Sequence, residues 1–252
     1  MDILRELQRA LSEIVDRHLD EIELSILRVF AFYGSVSLYK ASTLAGFAVS
    51  TTYKKARKLI ELNLIKNDTS HTYRITPKGL LQCIAQDFEN APYMINRIRL
   101  HWKLDAKFEE LCAYLILLSR GIKMSRLHLS QIDELETFRE TAKYVFTPLM
   151  YTIMRVNSIK TISELVSNTL NVNPEIVKMC EKLLIRAFND FFAIFTLRML
   201  SIIAGSRSRA VILIYDGDST IDVLDLCNTS LEYLNYKVRK YREQKGSICM
   251  DR

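Results

Sequence analysis

Glycine and proline are scarce in this chain of 252 residues, with seven of the first and four of the second. A strand-and-turn architecture needs both at its many reversals. Their scarcity, beside a hydrophobic content of 49%, points instead to long helices. The sequence also has no glycine-rich phosphate loop, no HExxH motif and no cluster of histidine and cysteine. Its four histidines (His18, His71, His101 and His128) are scattered, and no nucleophile has a base beside it. These absences argue against an enzyme and leave no catalytic residue, cofactor site or metal site to name. The five cysteines form no CxxC pair, as expected of reduced thiols in a cytoplasmic protein. The N-terminal stretch carries acids throughout and no apolar run, so no signal peptide is expected. The most hydrophobic stretch, Phe188 to Ala204, is short and is interrupted by Asp190 and Arg198. It reads as a buried helix and not as a membrane span.

What the chain does have is unevenly placed positive charge. The net charge is +6 and the isoelectric point is near 9.0. Residues 1–36 hold four basic and seven acidic side chains, whereas residues 37–79 hold eight basic and two acidic. Residues 237–245 add five basic and one acidic. Charge concentrated in this way is the electrostatic footprint of a polyanion partner.

The first concentration has a readable local structure. Ser37 is a good N-cap for a short helix with Leu38, Ala41, Leu44 and Ala45 on its apolar stripe, and Gly46 stands where a left-handed residue ends it. Phe47, Ala48 and Val49 make a tight turn into a second helix, for which Ser50 is the expected cap. Thr52, Ala56 and Leu59 fall on one side of that helix at helical spacing. Thr51, Lys54, Lys55 and Lys58 fall on or near the other, with Arg57 at its edge. Two β-rich runs, 64–67 and 72–76, enclose the polar turn Asp68 to His71 and predict a hairpin. Thr76 and Pro77 then start another helix, and Asp20 to Tyr33, with Asp20 and Glu23 as a capping pair, supplies one before.

The stretch "SLYKASTLAGFAVSTTYKKARKLIELNLIKNDTSHTYRITPKGLL" resembles the winged helix-turn-helix of bacterial and archaeal transcription regulators, in the MarR, PadR and ArsR style. The resemblance covers roughly residues 20 to 87, and "LNLIK" and "TPKG" are similar to the family's entry to and exit from the wing. Asn63 stands where that family usually has glycine, and asparagine also tolerates the left-handed conformation. The low-glycine, lysine-dotted style is similar to archaeal and archaeal-virus regulators. The resemblance implies that the basic helix enters a major groove and that the wing straddles a backbone. The DNA-contacting set is then Ser50, Thr51, Thr52, Tyr53, Lys54, Lys55, Arg57 and Lys58 on the helix, with Lys66, His71 and Arg74 on the wing.

The rest of the chain reads as helical. Residues 2–18 form an amphipathic helix whose Leu4, Leu7, Leu11 and Ile14 pack either on their own domain or in a two-stranded seam with a second copy. Tyr93 to Leu104 carries Arg97, Arg99, His101 and Lys103, either a second phosphate-contacting surface or the polar face of a connecting helix. Phe108 to Leu118 is a strongly apolar helix ending near Gly121, and Gln131 to Val145 is amphipathic, with Pro148 interrupting. "TISELVSNTLNVNPEIVKMCEKLL" repeats the helix-turn-helix grammar, with Asn171 in the turn, but its second helix is not basic. It is either a motif reused for packing or an unrelated helical pair. Val211–Tyr215 and Ile221–Leu226 predict a second hairpin. Asp216 and Asp218 between them look like a phosphohydrolase nucleophile motif, but the 32 residues after Thr220 are too few for that fold. A last helix from Asn228 or Thr229 carries the second basic cluster.

The fold class expected is therefore mainly α, with an N-terminal winged helix-turn-helix, a small hairpin wing, and a larger helical domain with one short hairpin. The expected division is an N-terminal helix over 1–19, the DNA-binding domain over 20–90 and a dimerising or signal-receiving domain over 91–252. The function expected is sequence-specific binding of double-stranded DNA by a homodimer, as a transcriptional regulator. A plasmid or virus replication or partition factor would use the same module, and a protein–protein scaffold is the reading from another class. Neither a membrane partner nor a particular small-molecule effector is indicated.

Overall fold

Short polar side chains at helix starts set the frame of the computed structural model, which describes residues 2–132, 135–153, 162–191, 211–215 and 221–225. Asp2 caps α1 (Ile3–Ser12) by accepting from the Arg5 amide. Asp20 and Glu23 make a reciprocal capping box at the start of α2 (Glu21–Tyr33). Gly34, at φ 76°, ends α2 and sends the chain into Val36, which pairs with Tyr73 in an isolated antiparallel bridge. Ser37 caps α3 (Leu38–Ala45), and Gly46 closes it in the left-handed conformation at φ 74°. After the turn comes α4 (Val49–Glu61), and Asn63 leaves it at φ 56°, the left-handed conformation the sequence suggested.

Strands β1 (Ile65–Asn67) and β2 (Tyr73–Ile75) pair antiparallel, with Lys66 opposite Arg74. Thr76 then caps α5 (Pro77–Gln86), and its hydroxyl donates back to the Asn63 and Leu64 carbonyls. Gly79 is required at this junction. A Cβ there would drive into the Leu64 carbonyl oxygen, so helix and hairpin could not close on each other.

Beyond this unit the described residues as far as 191 are helical, apart from connecting turns. Helix α6 (Ala91–His101) packs on α5 and α7. Helix α7 (Phe108–Met124) is buried on all sides from Leu111 to Ser119, and α1, α8, α9 and α10 pack around it. Helix α8 (Phe138–Ile153) follows a single 3-10 turn at Leu129–Gln131. Helix α9 (Ile162–Leu170) and α10 (Pro174–Met179) are joined through Asn171 at φ 50°, with Asn173 capping α10. Residues 181–191 are again helical. Strands β3 (Val211–Tyr215) and β4 (Ile221–Asp225) pair antiparallel. The fold is thus mainly helical with short antiparallel pairs. The Asp216 to Thr220 turn, the C-terminal basic cluster and most of the Phe188 to Ala204 stretch lie outside the described residues.

Several expectations need correction. The first helix stops at Ser12, not at residue 18. Its stripe is used within the chain: Leu7, Leu11 and Ile14 are fully buried where α1 packs on α5 and α7, so they are not available for a two-stranded seam. Helix α7 runs past Gly121 and α8 starts at Phe138, not at Gln131. Pro148 lies inside α8, and these last two features explain each other. Proline cannot donate to the Tyr144 carbonyl four residues back, and Gly121 brings its Cα against that same carbonyl, where any side chain would collide. One buried cluster runs from Leu7 to Phe188.

Candidate nucleic-acid interface

The basic helix α4 is oriented by its buried face. Thr52, Ala56 and Leu59 are fully buried. That face points into α2 and α3 and leaves Val49, Ser50, Tyr53, Lys54, Arg57 and Lys58 exposed. Two expectations fail here. Ser50 is not the cap: the helix starts two residues earlier, after Ala48, with no side-chain cap, because the chain is already helical at Val49. Thr52 cannot reach a ligand, because its hydroxyl is buried and has no hydrogen-bond partner among the described residues. Thr51 is half-buried.

The cations divide into two kinds. Lys55 bends back and donates to the Asp20 carboxylate, and its Nζ lies 3.3 Å from Glu23 Oε1. Its side chain is only 19% exposed. Glu23 is fully buried and also accepts from Arg17 at 2.9 Å, with Lys58 Nζ at 3.8 Å. The same carboxylate accepts the Asp20 amide, so one acid closes the helix cap and anchors the basic helix. Burial pushes the Asp20 carboxyl up, but the hydrogen bonds from Lys55 and the Glu23 amide outweigh it and hold the group below its usual value. The hydrogen bond to Asp20 raises Lys55 in turn. Lys54 makes no ion pair among the described residues, and Arg57 is 84% exposed beside Glu61 at 3.3 Å.

The hairpin base is also committed. Lys66 Nζ lies 3.0 Å and Arg74 Nη2 3.6 Å from Glu136, and Arg74 Nε lies 3.3 Å from Asp68. His101 Nε2 joins the same Glu136 oxygen at 3.3 Å. The hydrogen bond from His101 outweighs burial and, with Lys66, holds the Glu136 carboxyl down at about 2. Lys78 is buried and donates to the Ser130 and Ile132 carbonyls. Trp102 Nε1 donates to the Leu135 carbonyl at 2.9 Å, which ties down the residue just before Glu136. His71 is exposed in the loop between the strands, beside Thr69 and Ser70.

Of the expected contact residues, the structure therefore brings Ser50, Tyr53, Lys54, Arg57 and Lys58 to one solvent face and places His71 on the hairpin tip. It turns Thr52 inward and occupies Lys55, Lys66 and Arg74 with acids of the same chain. Val49, Tyr39 and Lys40, outside the expected set, are exposed as well. For Val49 the spacing gave no signal: three residues before Thr52 and seven before Ala56, it falls at the edge of the buried stripe, and it is exposed as the first residue of the helix. Among the described residues no group of three or more His, Cys, Asp or Glu side chains could hold a metal, and no helix is long and apolar enough to cross a membrane. Comparison with protein-family models, curated proteins and solved structures finds no match for the chain.

Proposed function

We propose that the chain is a sequence-specific double-stranded DNA-binding protein with a winged helix-turn-helix module, acting as a homodimer in transcriptional regulation. The observation that carries the reading is the exposed face of α4. Lys54, Arg57 and Lys58 stand together there at the end of a tight helix–turn–helix, and no acid follows until Glu61. The order α2, the Val36–Tyr73 bridge, α3, α4, β1, β2 and α5 supports the module, because it puts a strand partner and a hairpin beside the basic helix. In this reading α4 lies in a major groove and the hairpin tip with His71 meets an adjacent backbone. A single such helix reads only a short half-site, so two copies about one DNA turn apart supply the specificity. The contact between copies falls on a surface other than the α1 stripe.

Selection of bound sequences from a random duplex pool tests this. Enrichment of a palindrome is the expected result, and salt-independent recovery of random sequence contradicts it. A replication or partition factor would use the same face. One observation favours a protein-docking module instead: Lys55, Lys66 and Arg74 are already neutralised by Asp20, Glu23, Asp68 and Glu136. That reading predicts capture of a protein partner and indifference to duplex DNA.

A further inference from the structure

The solvent face of α4 is not uniformly basic. Once Lys55 has turned back to Asp20 and Glu23, its first two turns present Val49, 41% exposed, and Tyr53, 50% exposed, on either side of Ser50. Lys54 follows directly, and Arg57 stands one turn further on. Val49 and Tyr53 are four residues apart, so they lie one above the other on the same face. Neither serves the fold in a way that explains its exposure. Val49 makes no cap, and the Tyr53 hydroxyl has no hydrogen bond among the described residues. Single exposed apolar side chains are ordinary on a protein surface; what sets this pair apart is its place, together at the leading end of a basic helix.

We infer that α4 reads thymine methyl groups through Val49 and Tyr53, so the favoured duplexes present thymines on neighbouring base pairs in the major groove. The inference rests on duplex binding by this face. The thymine C5-methyl is the one apolar feature of the major-groove edge, and an apolar side chain recognises it. Residues one helical turn apart are separated by about 5.4 Å, which spans about two base-pair steps. The surrounding charge selects this occupant over an apolar protein surface. Covering Tyr53 with a dry partner would also desolvate Lys54 beside it, whereas a groove floor flanked by phosphates gives Lys54, Arg57 and Lys58 their counter-charges. Lys55 takes no part, because its ammonium is held by Asp20 and Glu23.

The test compares the full-length protein on an alternating dA·dT duplex and on the same duplex with deoxyuridine in place of thymidine. The two differ only in the C5-methyl. Wild type should lose roughly fourfold in affinity for each methyl contact removed, and the double variant Val49→Ala/Tyr53→Ala should bind both duplexes equally. Both changes are on exposed positions, and circular dichroism checks that the variant is folded. Equal wild-type affinity for the two duplexes overturns the inference and leaves duplex binding standing. A methyl effect that persists in the double variant overturns the assignment to these residues. No binding to either duplex at low salt overturns both the inference and the function it rests on.

Discussion

The solvent face of α4 and the base of the hairpin are equally basic in sequence and opposite in structure. Lys54, Arg57 and Lys58 project from a helix whose other side is fully packed. Lys66 and Arg74 face one another across the strands and share Glu136, a residue far along the chain. A charge in the sequence is therefore not a charge available to a ligand. The difference arises from exposure: Arg57 and Lys58, 3.3 Å from Glu61 and 3.8 Å from Glu23, keep side chains 84% and 47% exposed, whereas Lys66 and Arg74 are about a third exposed over Glu136. Exposed cations retain most of their field for a polyanion, whereas a cation already 3.0 Å from a carboxylate must give up that partner before it can neutralise a phosphate. Lys55 shows the same within α4 itself, since a neighbour of Lys54 in sequence belongs with the hairpin base in kind.

The largest effect should come from Glu23→Gln. This buried carboxylate accepts from Arg17, Lys55 and the Asp20 amide. Removing its charge leaves those donors facing a neutral group whose own side chain is fully buried. A loss of about 3 kcal/mol is expected in denaturant unfolding. A variant as stable as wild type would show that the acid does not anchor α4.

A smaller effect separates the hairpin base from α4 by pH. The Glu136 carboxyl is held at about 2, below its ordinary value of 4.5. A carboxylate depressed in the folded state contributes its stability in full above the unfolded value and loses it as pH falls through the folded one. The Glu136→Gln variant should therefore lose its difference from wild type between about pH 4.5 and 2. With the site open to solvent, the difference above that window should be about 1 kcal/mol at most. Urea midpoints at about pH 6, above that window, and at about pH 2.5, near its lower end, check it. A difference that does not shrink in acid would contradict the ion-pair account.

Local signals in the sequence were legible, and contacts over long separations were not. Asp20 with Glu23, Ser37, Gly46, Asn63, Thr76 and Asn173 all act on backbone a few residues away, and each does in the structure what its chemistry indicates. The outward set on α4 followed from the spacing of its buried face. Ser50 misled because a cap competes with a helix that can begin two residues sooner, and Val49 is already helical. Nothing local marks Lys55 as the partner of an acid in α2, or Glu136 as the acid under the hairpin, because both pairings are made by tertiary packing. The α1 stripe fits a partner helix of any origin, and only the fold supplies α7 as that partner. Pro148 reads as a break until Gly121 is seen against the Tyr144 carbonyl that the proline cannot bond.

The most direct test is a salt series on two variants of equal intent. One carries Lys54→Ala, Arg57→Ala and Lys58→Ala, and the other carries Lys66→Ala and Arg74→Ala. If a dimer neutralises about six phosphates, log affinity for wild type should fall against log salt with a slope of roughly −5. The α4 triple variant should lose most of that slope and roughly a hundredfold in affinity. The hairpin double variant should keep the wild-type slope within about one unit, with affinity changed by no more than about twofold. A loss of slope in the hairpin variant with α4 indifferent would contradict the division between free and occupied cations. A flat slope in wild type would remove the polyanion altogether.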